Sequence, residues 1–284
     1  MDAASVILTR SSEVRSYLSE IEFRPGKSLG QNFLVDANMR DLILDASETG
    51  PEDTVIEVGP GLGVMTDGLV ERASSVLAIE LDHRLVDHLK QRFVGREGVE
   101  IRHQDATETD WSSICRPDPV RVVSNLPYSV GSRILYDLAD PELAPLSVTV
   151  MVQKDVADRM LASPGSDPYG LLSVRLGWAF EIRRVRNVPG ACFHPAPRVG
   201  SSVVHLTRRK QAPAEVRDYT TFEKLVKFAF TRRRKQLGSI LREFGTVREG
   251  HEIDLSRRPE TLNLEEWAMI CSSVVSTVKS DSSS

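Results

Sequence analysis

Cysteines, long apolar runs and metal-ligand spacings are all scarce in this chain of 284 residues. Its three cysteines, Cys115, Cys192 and Cys271, lie far apart. That separation speaks against a disulfide framework or a zinc ribbon and fits the reduced thiols of a cytoplasmic protein. No stretch reaches the run of about eighteen apolar residues that a membrane helix needs. The segment from Met1 to Glu20 carries Glu13 and Glu20 and lacks the apolar core of a signal peptide. The six histidines show no ligand spacing, so no metal site is expected. No internal repeat is apparent, which sets solenoids aside.

Positive charge is short in the first part of the chain and abundant later. The net charge is −4. From Met1 to Asp110, acidic residues outnumber basic ones nearly two to one. From Arg198 to Glu243, 12 Lys and Arg stand against 4 Asp and Glu. The asymmetry predicts a basic face for phosphates in the C-terminal part and none in the N-terminal part. Length alone favours two domains with a sizeable core.

The stretch with the most chemistry is Asn125-Leu126-Pro127-Tyr128, which follows a buried-strand pattern over Val120 to Val123. An amide, a rigid proline and an aromatic ring there would sit at the carboxyl end of a parallel strand, where open α/β sheets hold ligands. The Asn oxygen and a neighbouring backbone carbonyl can accept from an exocyclic amine, and the ring can stack on the base carrying it. The same residue types also make an ordinary turn. Three earlier strands supply the context. A helix is expected from Asp36 as N-cap. Thr54 to Val58 reads as a strand that runs into Glu57-Val58-Gly59-Pro60-Gly61-Leu62-Gly63 and then a helix. No Lys-Ser/Thr pair follows the glycines, and their spacing is not the dinucleotide fingerprint. Ser75 to Ile79 ends in Glu80, placed to accept from ribose hydroxyls. Val99 to His103 leads to Asp105, placed to accept from an adenine amine. Singly, each carboxylate is as readily a solvated or capping group. Together they describe a pocket for an adenosine without phosphates, which S-adenosylmethionine fits.

Gly30 to Leu34, the Glu57 to Gly63 turn, Glu80-Leu81-Asp82, Asp105-Ala106, Asn125 to Tyr128 and Phe193 to Ser201 occur in an order that resembles the ribosomal RNA adenine dimethyltransferase family. The Lys27 to Leu34 opening and Leu126 look more like the housekeeping small-subunit branch than the resistance branch acting on large-subunit RNA. Ser129-Val130-Gly131 departs from the usual polar-Ile-Ser. The resemblance implies an α/β fold, a Rossmann-like class I methyltransferase sheet with a smaller C-terminal helical domain. It implies that Asn32, Leu34, Gly59, Gly61, Glu80, Asp105 and Asn125 hold S-adenosylmethionine. Asn125, Pro127, Tyr128 and Phe193 would serve catalysis, with Tyr128 and Phe193 on the two faces of the target base. The implied reaction is dimethylation of two adjacent adenines in the 3′ hairpin of small-subunit ribosomal RNA, or of the pre-small-subunit particle, by a monomer in the cytoplasm.

The expected domains are a mobile extension (1–24), a methyltransferase domain (25–209), a helical RNA-binding domain (210–275) and a Ser-rich tail (276–284). Leu171 to Phe180 and Glu181 to Val188 read as two strands. Arg232, Arg233, Arg234 and Lys235 are the candidate RNA contacts, although a charge run is as often a solvated face. Trp111, Trp178 and Trp267 read as core. Two other functions stay open on the residues alone: an adenine methyltransferase with a different target, or an RNA-binding assembly factor whose methylation is secondary.

Overall fold

The computed structural model describes residues 8–26, 30–115, 120–248 and 253–277. They fall into two units, one formed by residues 1–157 with 181–208 and the other by 158–180 with 209–284. In order, the first unit runs α1 (Ser11–Glu20), β1 (Phe33–Leu34), α2 (Ala37–Ala46), β2 (Thr54–Val58), α3 (Val64–Val70), β3 (Ser75–Glu80), α4 (His83–Arg92), β4 (Val99–His103), α5 (Trp111–Cys115), β5 (Val120–Asn125), α6 (Gly131–Leu138) and β6 (Ser147–Gln153). Helices α7 (Lys154–Met160) and α8 (Leu171–Ala179) follow. The chain then returns through β7 (Phe180–Val188), β8 (Phe193–His194) and β9 (Ser201–Arg208).

Seven strands form one sheet in the order β4-β3-β2-β5-β6-β9-β7. The first five are parallel, and β9 runs antiparallel to β6. Their composition explains this. Val55, Ile56, Val122, Val123, Val148 and Val150 are fully buried, as β-branched residues of a sheet covered on both faces must be. Because the strands are parallel, β2, β3, β4 and β5 all end at one edge. The motifs that follow them, scattered through the sequence, therefore converge there.

The N-terminal segment differs from expectation. Residues 8–26 are not a free extension: α1 buries Val14, Tyr17 and Leu18 in a cluster with Leu8, Phe23, Phe33, Leu62 and Leu85. Tyr17, Leu18 and Val14 lie three and four apart, so one face is apolar although the segment as a whole reads as polar. The Tyr17 hydroxyl lies 2.7 Å from His88 Nδ1, and His88 Nε2 lies 3.3 Å from the Leu62 carbonyl oxygen. A carbonyl only accepts, so Nε2 carries the proton and Nδ1 accepts from Tyr17. Burial pushes the His88 pKa down and keeps the ring neutral. Residues 1–7 lie outside the described residues.

The second unit holds α8, α9 (Tyr219–Phe230), α10 (Leu237–Phe244), β10 (Gly245–Val247), α11 (Leu264–Ser273) and β11 (Val274–Thr277), the two strands forming an antiparallel pair. Trp178, Phe222, Leu225, Leu241 and Trp267 form its core. Leu171–Ala179 is a helix where a strand is expected from sequence. Short apolar runs are ambiguous between the two. Here the helix wins because Val174 and Trp178, four apart, both face that core, and Leu, Arg and Ala are good helix formers. The Ser173 hydroxyl accepts from Gly170 N at 3.0 Å and closes the first turn. The unit consequently takes in residues 158–180, which the sequence reading places with the sheet. Residues 278–284 of the Ser-rich tail lie outside the described residues.

Among the described residues no helix is long and apolar enough to cross a membrane. Leu18→Ala tests the docking of α1. Filling lost by a buried leucine costs ~2–5 kcal/mol, whereas a free segment would show no change in chemical denaturation.

Candidate active site at the carboxyl edge of the sheet

The strand ends enclose a cleft of about 280 Å³. Its lining brings together Asn32 and Leu34 from the N-terminal side, Gly59 and Gly61 after β2, Glu80 at the end of β3, Asp105 after β4, Asn125 at the end of β5, and Pro127 and Tyr128 after it. Among the described residues three carboxylates, Glu57, Glu80 and Asp105, line it and no Lys or Arg does. A phosphate-bearing ligand has no partner among such groups. A neutral or cationic nucleoside does.

The glycine turn leaves no room for side chains. Gly59 has φ +67°, and a Cβ there would stand 3.1 Å from Cγ of Pro127. Gly61 has φ +59°, and its Cβ would meet Cδ1 of Phe33 at 3.0 Å. Both positions combine left-handed backbone with contact against a ring, and only glycine satisfies both. Pro127 and Phe33 are thereby packed directly on the turn.

Glu80 holds this turn as well as facing the cleft. Its Oε2 accepts from Gly61 N at 3.2 Å, and its Oε1 accepts from Leu81 N at 2.9 Å and Asp82 N at 3.0 Å. Burial pushes its pKa up, and the three backbone donors oppose the shift. One acceptor site on Oε2 is left over for a ribose hydroxyl. Asp105 is similarly divided: Oδ1 accepts from the Thr107 N at 2.8 Å and from the Thr107 hydroxyl at 2.7 Å, leaving Oδ2 for an amine.

Asn125 is oriented from a distance of 93 residues in sequence. Its Nδ2 donates to the Asn32 carbonyl at 3.0 Å, and Asn32 Nδ2 in turn donates to the Gly30 carbonyl at 2.9 Å. Since a carbonyl cannot donate, the amide of Asn125 is fixed with its NH2 toward Asn32. Among the described residues no donor reaches Oδ1. The Tyr128 hydroxyl bonds to the Ser201 hydroxyl of β9, which sets the ring half-buried at the wall of the cleft.

Two expected roles move. Phe193 is 3% exposed, pairs in β8 with Leu34 of β1, and packs with Met39, Val123 and Val203. It does not line the cleft, so it is a core residue here and not the second stacking face. The strand pairing, invisible in a Phe-His-Pro-Ala-Pro string, turns its side chain inward. The Pro127 carbonyl accepts from Val130 N at 3.2 Å and Gly131 N at 3.0 Å, so it starts α6 and has no capacity for an amine. The Leu126 carbonyl, one residue earlier, accepts no hydrogen bond from the described residues and belongs to the lining. Sequence reasoning also missed Gln31, whose Nε2 reaches Asp82 Oδ2 at 3.2 Å and whose Oε1 accepts from Gly26 N at 2.7 Å. It ties the segment before β1 to the start of α4.

The basic run belongs to the second unit, in the turn after α9 and not on a helix face. Arg232 and Lys235 both pair with Glu243, at 3.0 and 2.6 Å, and the Arg232 guanidinium lies 3.6 Å from the Phe228 ring centre. Arg233 donates to the Asp167 carbonyl at 2.7 Å. Arg234 is exposed, with no ionic partner among the described residues. Exposed pairs of this kind contribute ~0.2–1 kcal/mol, which a phosphate can match. Among the described residues no group of His, Cys, Asp and Glu could hold a metal.

A parallel sheet of this order with β9 inserted antiparallel, carrying an acid at the end of β3 and another after β4 and an Asn-x-Pro-Tyr turn at the end of β5, is the class I methyltransferase fold. The chain belongs to the ribosomal RNA adenine dimethylase family, whose model matches residues 23–276. Relatives called ribosomal RNA small subunit methyltransferase A are 38% identical in Natranaerobius thermophilus, covering 94% of this chain and 97% of the relative, and 41% identical in Moorella thermoacetica, covering 87% and 91%. Among solved structures, a dimethyladenosine transferase from Plasmodium falciparum has a TM-score of 0.70 at 22% identity over 84% of this chain and 95% of that one. The 23S rRNA methyltransferase ErmE has a TM-score of 0.63 at 24% identity over 86% and 99%. Both share the fold.

Glu80→Ala removes a charged acceptor and three turn contacts together. Affinity for S-adenosylmethionine should fall by ~1.5–3 kcal/mol in calorimetry. Unchanged affinity would remove Glu80 from the cofactor site.

Proposed function

We propose that this protein transfers methyl groups from S-adenosylmethionine to the exocyclic amine of adenines in small-subunit ribosomal RNA, two per adenine. The observation that carries the reading is the fixed amide of Asn125 beside the Leu126 carbonyl, which is free among the described residues, on the rim of a cleft that no described Lys or Arg lines. Family membership supports the substrate class, and the names of the relatives support the small subunit.

The lining fits the cofactor. Gly59 and Gly61 form a cradle that a Cβ would fill, while Glu80 Oε2 and Asp105 Oδ2 keep acceptor capacity for the ribose and the adenine. When bound, S-adenosylmethionine supplies an electrophilic methyl group on a sulfonium. The chain's own residues then act on the target. An adenine amine is a poor nucleophile because its lone pair is conjugated with the ring. Asn125 Oδ1 and the Leu126 carbonyl accept its two N–H bonds, which turns nitrogen density out of the ring plane and favours the cationic transition state. Tyr128 stacks on the base, its hydroxyl held by Ser201. No strong general base is needed, because the proton becomes acidic once nitrogen is alkylated. The base must leave its stack to reach this cleft, at a cost of a few kcal/mol, which favours adenines at a hairpin end.

Charge on the second unit supplies affinity for the RNA backbone, a sequence-independent contribution. Within the 232–235 run, Arg234 alone has no ionic partner among the described residues and should matter most. Arg234→Gln is expected to make the log–log salt dependence of RNA binding shallower by ~0.7–0.9, without changing the melting temperature. The same slope in both proteins would leave the run as an ordinary solvated turn. The substrate itself is tested with labelled cofactor on isolated small-subunit RNA, small-subunit particles, large-subunit RNA and DNA. Transfer confined to the last two would overturn the reading.

A further inference from the structure

The mechanism above gives no part to α1, which lies ahead of the residues 23–276 that the family model matches. Yet α1 stands directly behind the cleft. Phe33, Leu62, Val64 and Leu85 pack in one cluster with Val14, Tyr17 and Leu18 of α1, and the same four residues line the cleft. One layer of close-packed side chains therefore separates the helix from the lining, and such a layer transmits a shift. A polar route runs through it. Leu62 belongs to the glycine turn, and two side chains fix that turn at consecutive residues. Glu80 accepts from Gly61 N, and His88 of α4 donates from Nε2 to the Leu62 carbonyl at 3.3 Å. Among the described residues no backbone N–H reaches that carbonyl. The His88 bond is long, and its ring is held from the other side by the shorter bond, 2.7 Å, that Tyr17 donates to Nδ1. The segment after α1 returns to α4 as well, with Phe23 under the Arg84 guanidinium at 4.3 Å.

We propose that Tyr17 and His88 are positioning residues for the cofactor: the docking of α1 sets the His88 ring, and the ring sets the Leu62 carbonyl and with it the glycine turn. The inference rests on the reading of the cleft as an S-adenosylmethionine site. Neither residue lines the cleft, so neither touches the ligand. Their effect is on the shape of the turn, whose backbone must approach the nucleoside closely at Gly59 and Gly61. Without the Tyr17 hydroxyl, Nδ1 becomes a buried acceptor with no partner, and the ring gains by turning that nitrogen elsewhere. The Leu62 carbonyl then loses its donor. Coupling of this kind is reciprocal. If docked α1 favours cofactor binding, bound cofactor favours docked α1 by the same factor.

Tyr17→Phe keeps the packing of the ring and removes only the hydroxyl. Its affinity for S-adenosylmethionine should be ~3–10-fold weaker in calorimetry, the effect of one hydrogen bond. His88→Gln carries an NH2 at the position of Nε2 and has no Nδ1 to leave unpaired, so it keeps a donor for the Leu62 carbonyl. Tyr17→Phe added to His88→Gln should then weaken binding no further, because the hydroxyl acts through the ring. In wild type, saturating S-adenosylmethionine should slow hydrogen exchange at the amides of Val14, Tyr17 and Leu18 by the same ~3–10-fold, and by less in Tyr17→Phe. The exchange measurement serves if His88→Gln fails to fold. Unchanged affinity in Tyr17→Phe, even with a lower melting temperature, would overturn the proposal. So would a further loss when Tyr17→Phe is added to His88→Gln, or exchange in α1 that is indifferent to the cofactor. Failure of the folded wild type to bind S-adenosylmethionine at all would instead overturn the reading of the cleft.

Discussion

The hydrogen bond from Asn125 Nδ2 to the Asn32 carbonyl, 3.0 Å long, is the constraint on which the rest of the site depends. An amide can present oxygen or nitrogen with almost the same shape, and only its partner decides which. By occupying the NH2 group, Asn32 leaves Oδ1 as the end available to a substrate amine. That bond needs the segment before β1 to be in place. The segment is held by Gln31 on Asp82, by the β1–β8 pair and by Phe33 packed on the Gly61 turn. The glycine turn is itself fixed by Glu80. The glycine turn, the Asn125 turn and the N-terminal segment thus form one connected set of contacts, and a change in any of them reaches the amide.

Polar groups in this set are used twice. Glu80 and Asp105 each spend part of their acceptor capacity on backbone or a neighbouring hydroxyl and keep the remainder for ligand. A carboxylate fixed in this way needs no reorganisation when the nucleoside arrives, which is how preorganised acceptors gain over water. Dimethylation puts a further demand on the same place. After the first transfer only one N–H remains, so one of the two acceptors, Asn125 Oδ1 or the Leu126 carbonyl, must go without it. In the proposed reaction, stacking on Tyr128 and the shape of the cleft then carry more of the positioning.

Much of this was legible in the sequence because it depends on short, local strings. β2, β3, β4, β5 and β6 begin and end within a residue or two of the β-branched runs, and the acids at their ends fall in one cleft. What was not legible depends on contacts between distant segments. Phe193 reads as a candidate stacking ring until its pairing with Leu34 turns it into the core. Leu171–Ala179 reads as a strand until Val174 and Trp178 meet Phe222. The polar composition of 8–26 hides Val14, Tyr17 and Leu18 on one helical face. Arg232, Arg233 and Lys235 are a charge run in one dimension. In three, Glu243 and the Asp167 carbonyl already occupy them. The free carbonyl is Leu126 rather than Pro127 because α6 begins where it does, which no composition rule specifies.

The central claim is that the fixed amide of Asn125 acts on the amine in the transition state and hardly at all on the cofactor. Single-turnover methyl transfer on small-subunit particles, measured beside calorimetric cofactor affinity in wild type and Asn125→Ala, separates the two. The account predicts cofactor affinity within a few-fold of wild type and a transfer rate lower by ~10²–10³. A variant that transfers methyl groups at near wild-type rate would contradict it.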